Sequence, residues 1–554
     1  MSTTETRRVP GSARIVPLAL LLFLWFLADS RVALAQRWRE EPGRWEFTGK
    51  MVVRPLQIEH WMERGFTREQ AQVLYTQAVN YTVDTLGEHV YRYHDRMDEY
   101  WFHVPPGRSE NDIGEQLIAT GYYRYVCPNW WAAPLGLAAS ETTLDDCTND
   151  PLLSSQWHHT RIESCAGWQI HTAGHDDVVI GFIDLGLAIG HEDVSNLNEY
   201  RRTGYNALEQ CWESATCSIE EGSTWHGTKA LGAGAATGNN EAGVSGIGWS
   251  LRHRMLNGVG QLEFFLDSLW VSATAGDRVI CSTAGFDMTD SFIWKQYFDN
   301  TEAMVMSDQF DPVPLVFQAA GNEPDWDYEP FPYIVIVGGT QQNDARWWED
   351  ETWGSPVGDF IDVMAPAKDI YSTAGNSQYT VTSGTSFAVP QAAGLAALIW
   401  SYDPNLDRED VLDFLYRGCD PIVDYDPDFH GHGRINVFNS LALASGSLWT
   451  RDPYPGEAGT TNDFKAAGAE EGATVWFFYG DGSGQTQVTV GNCTITLDIA
   501  NATLIPAESA VATANGAAII QQAVPGSWSE ETVWLQCVEE EGCRKSNVVV
   551  FEFE

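Results

Sequence analysis

Five short apolar runs in the middle of the chain end abruptly, and this pattern constrains the fold more than any other feature. The run from Val178 to Ile183 stops at Asp184, and the run from Leu315 to Ala320 stops just before Asn322. The other runs cover residues 279–285, 334–338 and 361–364. Continuous Val/Ile runs between helical stretches are typical of parallel strands covered on both faces, which predicts an α/β fold. Because ligands bind at the carboxyl ends of such strands, Asp184 and Asn322 are expected at one functional edge.

The first 35 residues are predicted to be a secretory signal peptide. Basic residues precede an apolar run from Ile15 to Ala28, and Ala33-Leu34-Ala35 provides a small-residue cleavage site. The run is shorter than the about 20 residues that span a bilayer, so an uncleaved anchor is the less favoured alternative. We therefore expect a secreted protein that contacts no membrane once the signal peptide is removed.

Acidic residues greatly outnumber basic ones in this chain. The 76 Asp and Glu residues against 32 Lys and Arg give a formal net charge of −44. Binding to nucleic acid needs a basic surface, so the composition argues against a nucleic-acid partner. The hydrophobic share of 44% is enough to bury a large core, which separates the chain from disordered acidic proteins.

The cysteine pattern fits an exported protein. The ten cysteines include Cys211 and Cys217, which bracket one short polar loop and are predicted to form a local disulfide. No other pairing follows from the sequence. A zinc site is not expected, because the chain has no C-x-x-C pair and its histidine clusters lack cysteine partners at ligand spacing.

The chain is predicted to contain three regions after the signal peptide. Residues 36–147 form an N-terminal region and linker, and the elements predicted around residues 50–130 follow the β-α-β-β-α-β order of the split ferredoxin-like motif. These elements are strands 50–56, 89–93, 100–104 and 122–127, and helices 68–84 and 110–120. The α/β domain covers residues 148–447, and alternating segments after it predict a C-terminal β-sandwich over residues 448–554.

Four short motifs place candidate catalytic residues in order along the chain. These residues are Asp184, His226, Asn322 and Ser386. A serine hydroxyl is a poor nucleophile unless a neighbouring base removes its proton, so Ser386 requires an imidazole, and His226 fits that role. A carboxylate such as Asp184 holds the imidazole in one tautomer and stabilises its cation. The side-chain amide of Asn322 would donate to the developing oxyanion.

A helix is predicted to begin close to the candidate nucleophile. Thr385-Ser386 opens an apolar run over residues 387–400, and the free N–H groups of its first turn could face the oxyanion. Pro390 lacks a backbone donor, which predicts a bend or a short start to this helix.

The four motifs together resemble those of the subtilase family of serine peptidases. The resemblance covers about residues 148–445 and rests on the segments Ile183-Asp184, His226-Gly227-Thr228, Gly321-Asn322 and Ser383-Gly384-Thr385-Ser386, in the order Asp, His, Ser of subtilisin. It implies a subtilisin-like domain with a parallel sheet, acting as a secreted serine endopeptidase on protein or peptide substrates without an organic cofactor. It also implies a self-cleaved propeptide that acts as an intramolecular inhibitor. We expect a monomer.

Two departures from the family pattern stand beside the catalytic residues. Leu185 follows the aspartate where the family usually has Ser or Thr, and Lys229-Ala230-Leu231 replaces the usual run after the histidine motif. Neither departure removes a reacting group. Leu185 removes a side-chain hydrogen bond near Asp184, which bears on the rate more than on the mechanism.

Structural interpretations of the same residues remain open. Asp184 could cap a strand end, Asn322 could be a turn residue, and Gly227, Gly232 and Gly234 could serve close helix packing. The N-terminal region could be a permanent accessory domain. The alternative function is a catalytically weak or inactive subtilase scaffold that binds peptides or acts as a cell-surface adhesion protein. The filled catalytic positions favour the enzyme.

The resemblance further implies a structural calcium site. Ca²⁺ binds six to eight oxygens from carboxylates, amides and backbone carbonyls. The matching ligands are the side chains of Asp150, Asp193 and Asn240 and the carbonyls of Gly238, Ala242 and Val244. The alternative is that these segments are ordinary turns in an acidic protein.

The resemblance also implies a cleft for an extended peptide, which pairs with exposed backbone. The edge residues would be Gly258, Gly260, Thr283, Ala284 and Gly285, and the pocket residues Ala319, Ala320 and Gly321. Glu323 beside the pocket is expected to disfavour acidic substrate side chains.

Overall fold

The computed structural model of the chain describes ten stretches of residues. They are residues 47–94, 97–129, 133–134, 147–194, 201–220, 224–285, 291–307, 309–326, 332–350 and 352–554. The predicted signal peptide and most of the predicted linker lie outside them. The chain divides into two compact units, residues 1–40 with 49–128 and residues 41–48 with 129–554. Within the described stretches, no helix is both long enough and apolar enough to cross a membrane.

The first unit is built on a four-stranded antiparallel sheet. Its elements are β1 (Lys50–Pro55), α1 (Ile58–Glu63), α2 (Arg68–Leu86), β2 (Val90–His94), β3 (Glu99–His103), α3 (Glu110–Ile118) and β4 (Tyr123–Pro128). The strand order is β2-β3-β1-β4, which places the first strand between the third and the fourth, as in the split motif. The shared elements lie within two residues of the predicted bounds, whereas helix α1 was not predicted.

Local capping explains where the two longer helices of this unit begin. The Thr67 hydroxyl accepts from the Gln70 N–H at 3.3 Å at the start of α2. The Ser109 hydroxyl accepts from the Asp112 N–H at 3.2 Å at the start of α3. In both cases the third helical residue bonds back to the cap, which satisfies two otherwise free donors.

The second unit contains a mainly parallel sheet flanked by helices. In the part of the chain that the structure describes, eight of its strands form one sheet, in the order β14-β13-β12-β10-β6-β9-β7-β8. The strands of this unit before the C-terminal region are β5 (Ala133–Pro134), β6 (Val179–Asp184), β7 (Tyr205–Asn206), β8 (Cys211–Trp212), β9 (Arg252–Asn257), β10 (Val279–Ser282), β11 (Ala284–Gly285), β12 (Leu315–Ala319), β13 (Ile334–Thr340), β14 (Val363–Pro366), β15 (Ile370–Ala374) and β16 (Gln378–Thr382). All neighbouring pairs except β7 and β8 are parallel. The predicted parallel sheet is confirmed.

Two details of this sheet differ from the sequence prediction. The predicted run 279–285 is two strands, because the chain leaves the sheet at Thr283 and β11 pairs instead with β5. Strand β9 lies beside β6 but was not among the predicted apolar runs, since it carries three basic or imidazole side chains. One of them, Arg254, is buried and donates to Asp277 at 3.0 and 3.1 Å, so a paired charge replaces an apolar residue.

Helix α9 runs through the core of the second unit. The helices before the C-terminal region are α4 (Trp157–Arg161), α5 (Ser164–Trp168), α6 (His226–Ala235), α7 (Leu262–Thr274), α8 (Ser291–Val305), α9 (Thr385–Tyr402), α10 (Arg408–Gly418), α11 (Pro427–His430) and α12 (Val437–Ser445). Every residue of α9 from Thr385 to Ser401 is buried. The helix begins at the predicted nucleophile motif and continues through Pro390, so the expectation of a short start is wrong.

Close packing of α6 against α9 and β15 explains why α6 is rich in glycine. A side chain at Gly234 would collide with the backbone of Pro390, and one at Gly232 would collide with Thr373. The structural interpretation of these glycines is therefore correct, and it is compatible with a catalytic role for His226 at the start of the same helix.

The C-terminal region consists of strands in three sheets. Its strands are β17 (Trp449–Thr450), β18 (Thr461–Ala467), β19 (Thr474–Gly480), β20 (Gly482–Val490), β21 (Cys493–Ala500), β22 (Thr503–Val511), β23 (Ala518–Ala523), β24 (Thr532–Glu539), β25 (Arg544–Lys545) and β26 (Val549–Glu552). The sheet β17-β18-β23 faces the sheet β22-β19-β24-β25 across a core that includes Phe464 and Phe477. The hairpin β20–β21 packs on the opposite face of β19 through Leu497 and Phe478. The predicted two-sheet sandwich thus carries a third layer, because the adjacent aromatics of β19 point to both faces.

Ion pairs between buried or partly buried side chains join this region to the α/β part of the same unit. Lys465 Nζ lies 2.7 Å from Glu163 Oε2, and Arg451 Nη2 lies 3.2 Å from Glu163 Oε1. Burial alone would raise the pKa of Glu163, but Lys465 and Arg451 lower it to about 2. The carboxylate of Glu163, in the α/β part, therefore stays ionised and pairs with two cations of the C-terminal region.

Three disulfides occur among the described cysteines. The predicted Cys211–Cys217 bridge is confirmed, with an S–S distance of 2.04 Å. The other two, Cys147–Cys165 and Cys493–Cys543, could not be paired from the sequence.

Candidate active site

The carboxylate of Asp184 and the imidazole of His226 form a buried pair at the edge of the sheet. Asp184 is the last residue of the central strand β6, and His226 is the first residue of α6. Nδ1 of His226 lies 2.9 Å from both carboxylate oxygens. A ring nitrogen facing a carboxylate carries the proton, so Nε2 is the unprotonated nitrogen that can act as a base. The predicted orienting role of Asp184 fits this geometry.

Two further donors hold the carboxylate in place. The Leu185 N–H donates to Oδ1 at 2.6 Å, and the Thr283 hydroxyl donates to Oδ2. Leu185 therefore supports Asp184 through its backbone, although its side chain offers no hydrogen bond. Thr283 was predicted only as a substrate residue, and its contact with Asp184 shows an additional positioning role that the sequence did not reveal.

Ser386 is the second residue of α9 and is buried. Its hydroxyl donates to the Thr283 carbonyl at 3.3 Å. The ring of the next residue, Phe387, lies 5.3 Å from the ring of His226, measured between centroids. Thr283 thus contacts both the nucleophile and the carboxylate of the candidate triad, which brings Asp184, His226 and Ser386 to one edge of the sheet.

The amide of Asn322 is oriented by a neighbour in the nucleophile motif. Its Oδ1 accepts from the Thr385 N–H at 2.9 Å and lies 3.1 Å from the Thr385 hydroxyl. These contacts turn Nδ2 the other way. In the residues that the structure describes, Nδ2 is buried and finds no hydrogen-bond acceptor. A buried donor without an acceptor is unfavourable unless a bound oxygen accepts a hydrogen bond from it. Nδ2 is therefore suited to donate a hydrogen bond to an oxyanion.

Comparison with known proteins places this site in a family. The profile of the Subtilase family matches residues 175–425, which include all four candidate catalytic residues. This matched region, just under half of the chain, is similar to the subtilase family of serine peptidases. We call it the subtilase domain.

Three curated relatives are each 28% identical to the chain. The halolysin-like extracellular serine protease Nep of Natrialba magadii aligns over 56% of this chain and 54% of its own length. A thermophilic serine proteinase of Bacillus sp. (strain AK1) aligns over 50% and 64%, and thermitase of Thermoactinomyces vulgaris over 46% and 85%. The chain thus spans about half to two thirds of the length of the first two relatives.

The predicted substrate edge of the subtilase domain contains a short strand. Ala284 and Gly285 form β11, whose only pairing among the described strands is antiparallel to β5. The side-chain amide of Gln318 donates to the Ala284 carbonyl at 2.8 Å. Gln318 therefore anchors strand β11 through a side-chain hydrogen bond, a role that no sequence signal indicated.

The other predicted substrate residues fall into two groups. Gly258 donates its N–H to the Asp184 carbonyl at 3.1 Å, and a side chain there would collide with Ser268, so packing explains this glycine. Gly260 has a φ of +146°, and an added Cβ would contact only Phe264, at 3.9 Å. Of the predicted pocket residues, Ala319 is the last residue of β12, and Ala320 and Gly321 follow it. Gly321 has a φ of +100°, which favours glycine, and Trp326 packs against it.

Four of the six predicted calcium ligands belong to the loop 237–245, and the other two, Asp150 and Asp193, accept hydrogen bonds from it. Two backbone N–H groups of this loop donate to the Asp150 carboxylate at 2.7 and 2.9 Å. The Asn240 amide donates to Asp193 at 3.0 Å, and the Val244 N–H donates to the other oxygen of Asp193 at 3.0 Å. Burial raises the pKa of Asp193 to about 6.

The chemistry of these donors fits a hard cation. Two buried carboxylates, one amide and three loop carbonyls supply the oxygens that Ca²⁺ prefers, and a cation would offset the burial of Asp150 and Asp193. The side-chain oxygens now accept N–H hydrogen bonds, so an ion would bind in exchange for some of those bonds.

Proposed function

We propose that the chain is a secreted serine endopeptidase that hydrolyses peptide bonds. His226 Nε2 removes the proton of Ser386 Oγ as this oxygen attacks the substrate carbonyl, and an acyl-enzyme forms at Ser386. Asp184 keeps the imidazole oriented and stabilises its cation. The developing oxyanion accepts a hydrogen bond from Nδ2 of Asn322.

The observation that carries this proposal is the unpartnered Nδ2 of Asn322. Its orientation is set by Thr385, one residue before the nucleophile, so the donor and the serine are held by the same turn. Catalysis requires a hydrogen-bond donor that has no other acceptor when negative charge develops on the substrate oxygen. Binding of an uncharged peptide does not require such a donor. This donor therefore argues against the alternative of an inactive peptide-binding or adhesion scaffold.

We further propose that the protein is made as a proenzyme. The N-terminal region acts as a propeptide that the chain removes itself and that inhibits the site until then. The pairing of β5 with β11 supports this role, because residues 133–134, at the start of the predicted linker, add a strand to the substrate edge. Protein or peptide substrates would use the same edge after processing, and we expect the mature protein to be a monomer.

We also propose a structural calcium ion at the loop 237–245. Asp150, Asp193 and Asn240 would hold it together with the carbonyls of Gly238, Ala242 and Val244. Bound there, the ion would neutralise buried negative charge and stabilise the fold, with no part in the hydrolytic step.

Peptide hydrolysis by matched serine variants tests the proposed activity. Ser386→Ala is expected to abolish hydrolysis of an unstructured protein such as casein. Ser383→Ala removes another buried hydroxyl, three residues earlier, which accepts from the Asp369 N–H at 2.9 Å. That control variant should retain most of the activity. Equal hydrolysis by wild type and Ser386→Ala would reject the proposal.

A further inference from the structure

Trp225 stands directly before the proposed general base, His226, in an unusual backbone conformation. Its φ of +55° lies in the left-handed region, which a bulky side chain rarely adopts away from turns and functional sites. The Trp225 carbonyl accepts from the Lys229 N–H at 3.0 Å, which closes the first turn of α6. The backbone at this residue is therefore fixed by the helix that presents His226.

The indole of Trp225 packs on the hairpin that leads to the nucleophile. Gly375 lies in the turn between β15 and β16, and an added side chain there would collide with the indole, so only glycine allows this contact. Strand β16 ends at Thr382, shortly before Ser386. The indole thus connects the helix of the histidine with the hairpin of the serine.

Two further hydrogen bonds hold this hairpin against α6. The Ser372 hydroxyl donates to the Lys229 carbonyl at 2.7 Å. The Thr373 hydroxyl donates to the Thr228 carbonyl at 2.7 Å. A step toward the tip of the hairpin is thus a step back toward the start of the helix, so the tip meets the residue before the helix. The contact of the indole with the hairpin belongs to this fixed interface.

The predicted substrate edge determines which part of a substrate meets the indole. A peptide that pairs antiparallel with β11, as β5 does, runs from Gly285 toward Thr283, whose carbonyl accepts from Ser386 Oγ at 3.3 Å. Residues before the scissile bond therefore lie along β11, and residues after it lie beyond Ser386. The nitrogen of the first residue after the bond takes a proton from His226, so this residue lies beside the imidazole.

Trp225 offers an accessible aromatic surface at this place. Its side chain is partly exposed. The ring of Phe387 also lies beside His226, at 5.3 Å between centroids, but it is fully buried and offers no surface to a substrate. Aromatic rings bind apolar side chains by burial of area and other rings by edge-to-face or offset contacts. The side of the site that receives the leaving group therefore has an aromatic wall.

We propose that Trp225 is a specificity-determining residue that binds an aromatic or large aliphatic side chain directly after the scissile bond. This inference rests on the proposed function and names a substrate preference of the same site. Contact with Gly375 holds the indole in place before a substrate arrives, so little side-chain freedom is lost on binding.

Partitioning of the acyl-enzyme between two amines tests the inference. The purified chain is acylated with an Ala-Ala-Pro-Leu methyl ester, and phenylalaninamide and glycinamide compete for the ester at Ser386. The amine nitrogen attacks the ester carbonyl, His226 takes a proton from this nitrogen and returns it to Ser386 Oγ, and a peptide amide is released. At equal amine concentrations, wild type should form at least about ten times more of the phenylalaninamide product, because even one methylene in an apolar pocket is worth that factor.

Four variants make this test specific. Trp225→Asn should bring the product ratio close to one, since asparagine tolerates the left-handed backbone but has no aromatic face. Gly375→Ala should act in the same way with the tryptophan still present, because the added methyl group displaces the indole. Trp225→Phe keeps an aromatic face and should keep most of the preference. Trp348→Asn removes an exposed tryptophan that stacks on Arg346, and it should leave the ratio unchanged.

The outcomes separate this inference from the proposed function. Wild type that uses both amines equally would overturn the inference and leave the endopeptidase intact. Either Trp225→Asn or Gly375→Ala with the wild-type ratio would do the same, so each variant is decisive if the other does not fold. Slower acylation of Trp225→Asn with an unchanged ratio would show that Trp225 only positions His226. Folded wild type that neither hydrolyses the ester nor reacts with a fluorophosphonate at Ser386 would overturn the proposed function as well.

Discussion

Removal of the Asn322 amide is expected to damage catalysis much more than substrate binding. Nδ2 has no acceptor among the described residues, so it gains a partner only when an oxyanion forms. Loss of one oxyanion donor costs about 2.7–4 kcal/mol of transition-state stabilisation, which corresponds to a fall of about 100- to 1,000-fold in kcat. Asn322→Ala should therefore lower kcat by this factor and leave KM nearly unchanged.

The same substitution has a separate effect on stability. Oδ1 of Asn322 accepts from the buried Thr385 N–H, and its loss leaves that donor unsatisfied. The expected cost is about 1–3 kcal/mol in the free energy of unfolding, measured by urea denaturation. Thr385→Val provides the comparison, because it removes the hydroxyl at 3.1 Å but keeps the N–H that orients the amide. Its kcat should fall less than that of Asn322→Ala.

The assay is hydrolysis of an Ala-Ala-Pro-Leu p-nitroanilide, with kcat and KM determined separately for each variant. Either of two results would show that the Asn322 amide does not stabilise the transition state more than the ground state. One is an unchanged kcat for Asn322→Ala, and the other is a rise in KM that accounts for the whole loss of kcat/KM. The assignment of Nδ2 to the oxyanion would then be refuted.

Three further perturbations have defined outcomes. Thr283→Val removes a hydrogen bond to the Asp184 carboxylate, so kcat/KM should fall about tenfold or more at constant fold, and an unchanged value would remove Thr283 from the positioning of the triad. EDTA should lower the Tm of the mature protein and Ca²⁺ should restore it, whereas a Tm independent of both would leave the loop 237–245 held by hydrogen bonds alone. Lys465 and Arg451 hold the pKa of Glu163 at about 2, below its usual range, so this carboxylate stabilises the fold above about pH 4.5 and loses that contribution as the pH falls toward 2. The difference in unfolding free energy between wild type and Glu163→Gln should therefore shrink by about 3 kcal/mol between pH 6 and pH 2, and a constant difference would contradict the assignment.

Sequence patterns were sufficient for the parts of the fold that depend on local periodicity. Strand β6 ends at Asp184 because an apolar run stops there, and α9 begins at the nucleophile motif. Strand β9 escaped prediction because its buried Arg254 is compensated by Asp277, which lies 23 residues away in sequence. No local pattern reports such a distant partner.

In the candidate site, too, the sequence predicted the local features and missed those that depend on contacts between distant residues. The motifs identified Asp184, His226, Asn322 and Ser386, because each chemical role requires a particular residue type. They could not show that Thr385 orients the Asn322 amide or that Gln318 supports the edge strand, since both depend on contacts between strands and helices that are distant in sequence. The pairing of β5 with β11 is equally non-local.

The reactivity of Ser386 tests the central claim most directly. The purified chain is treated with a fluorophosphonate probe, which forms a bond only with an activated serine, and the labelled peptide is located by mass spectrometry. Labelling of Ser386 in wild type and in Ser383→Ala, with none in Ser386→Ala or His226→Ala, is the result that an Asp184–His226–Ser386 triad predicts. Folded wild-type protein that takes up no label at Ser386 would contradict the account, and the cleft would then be a binding site.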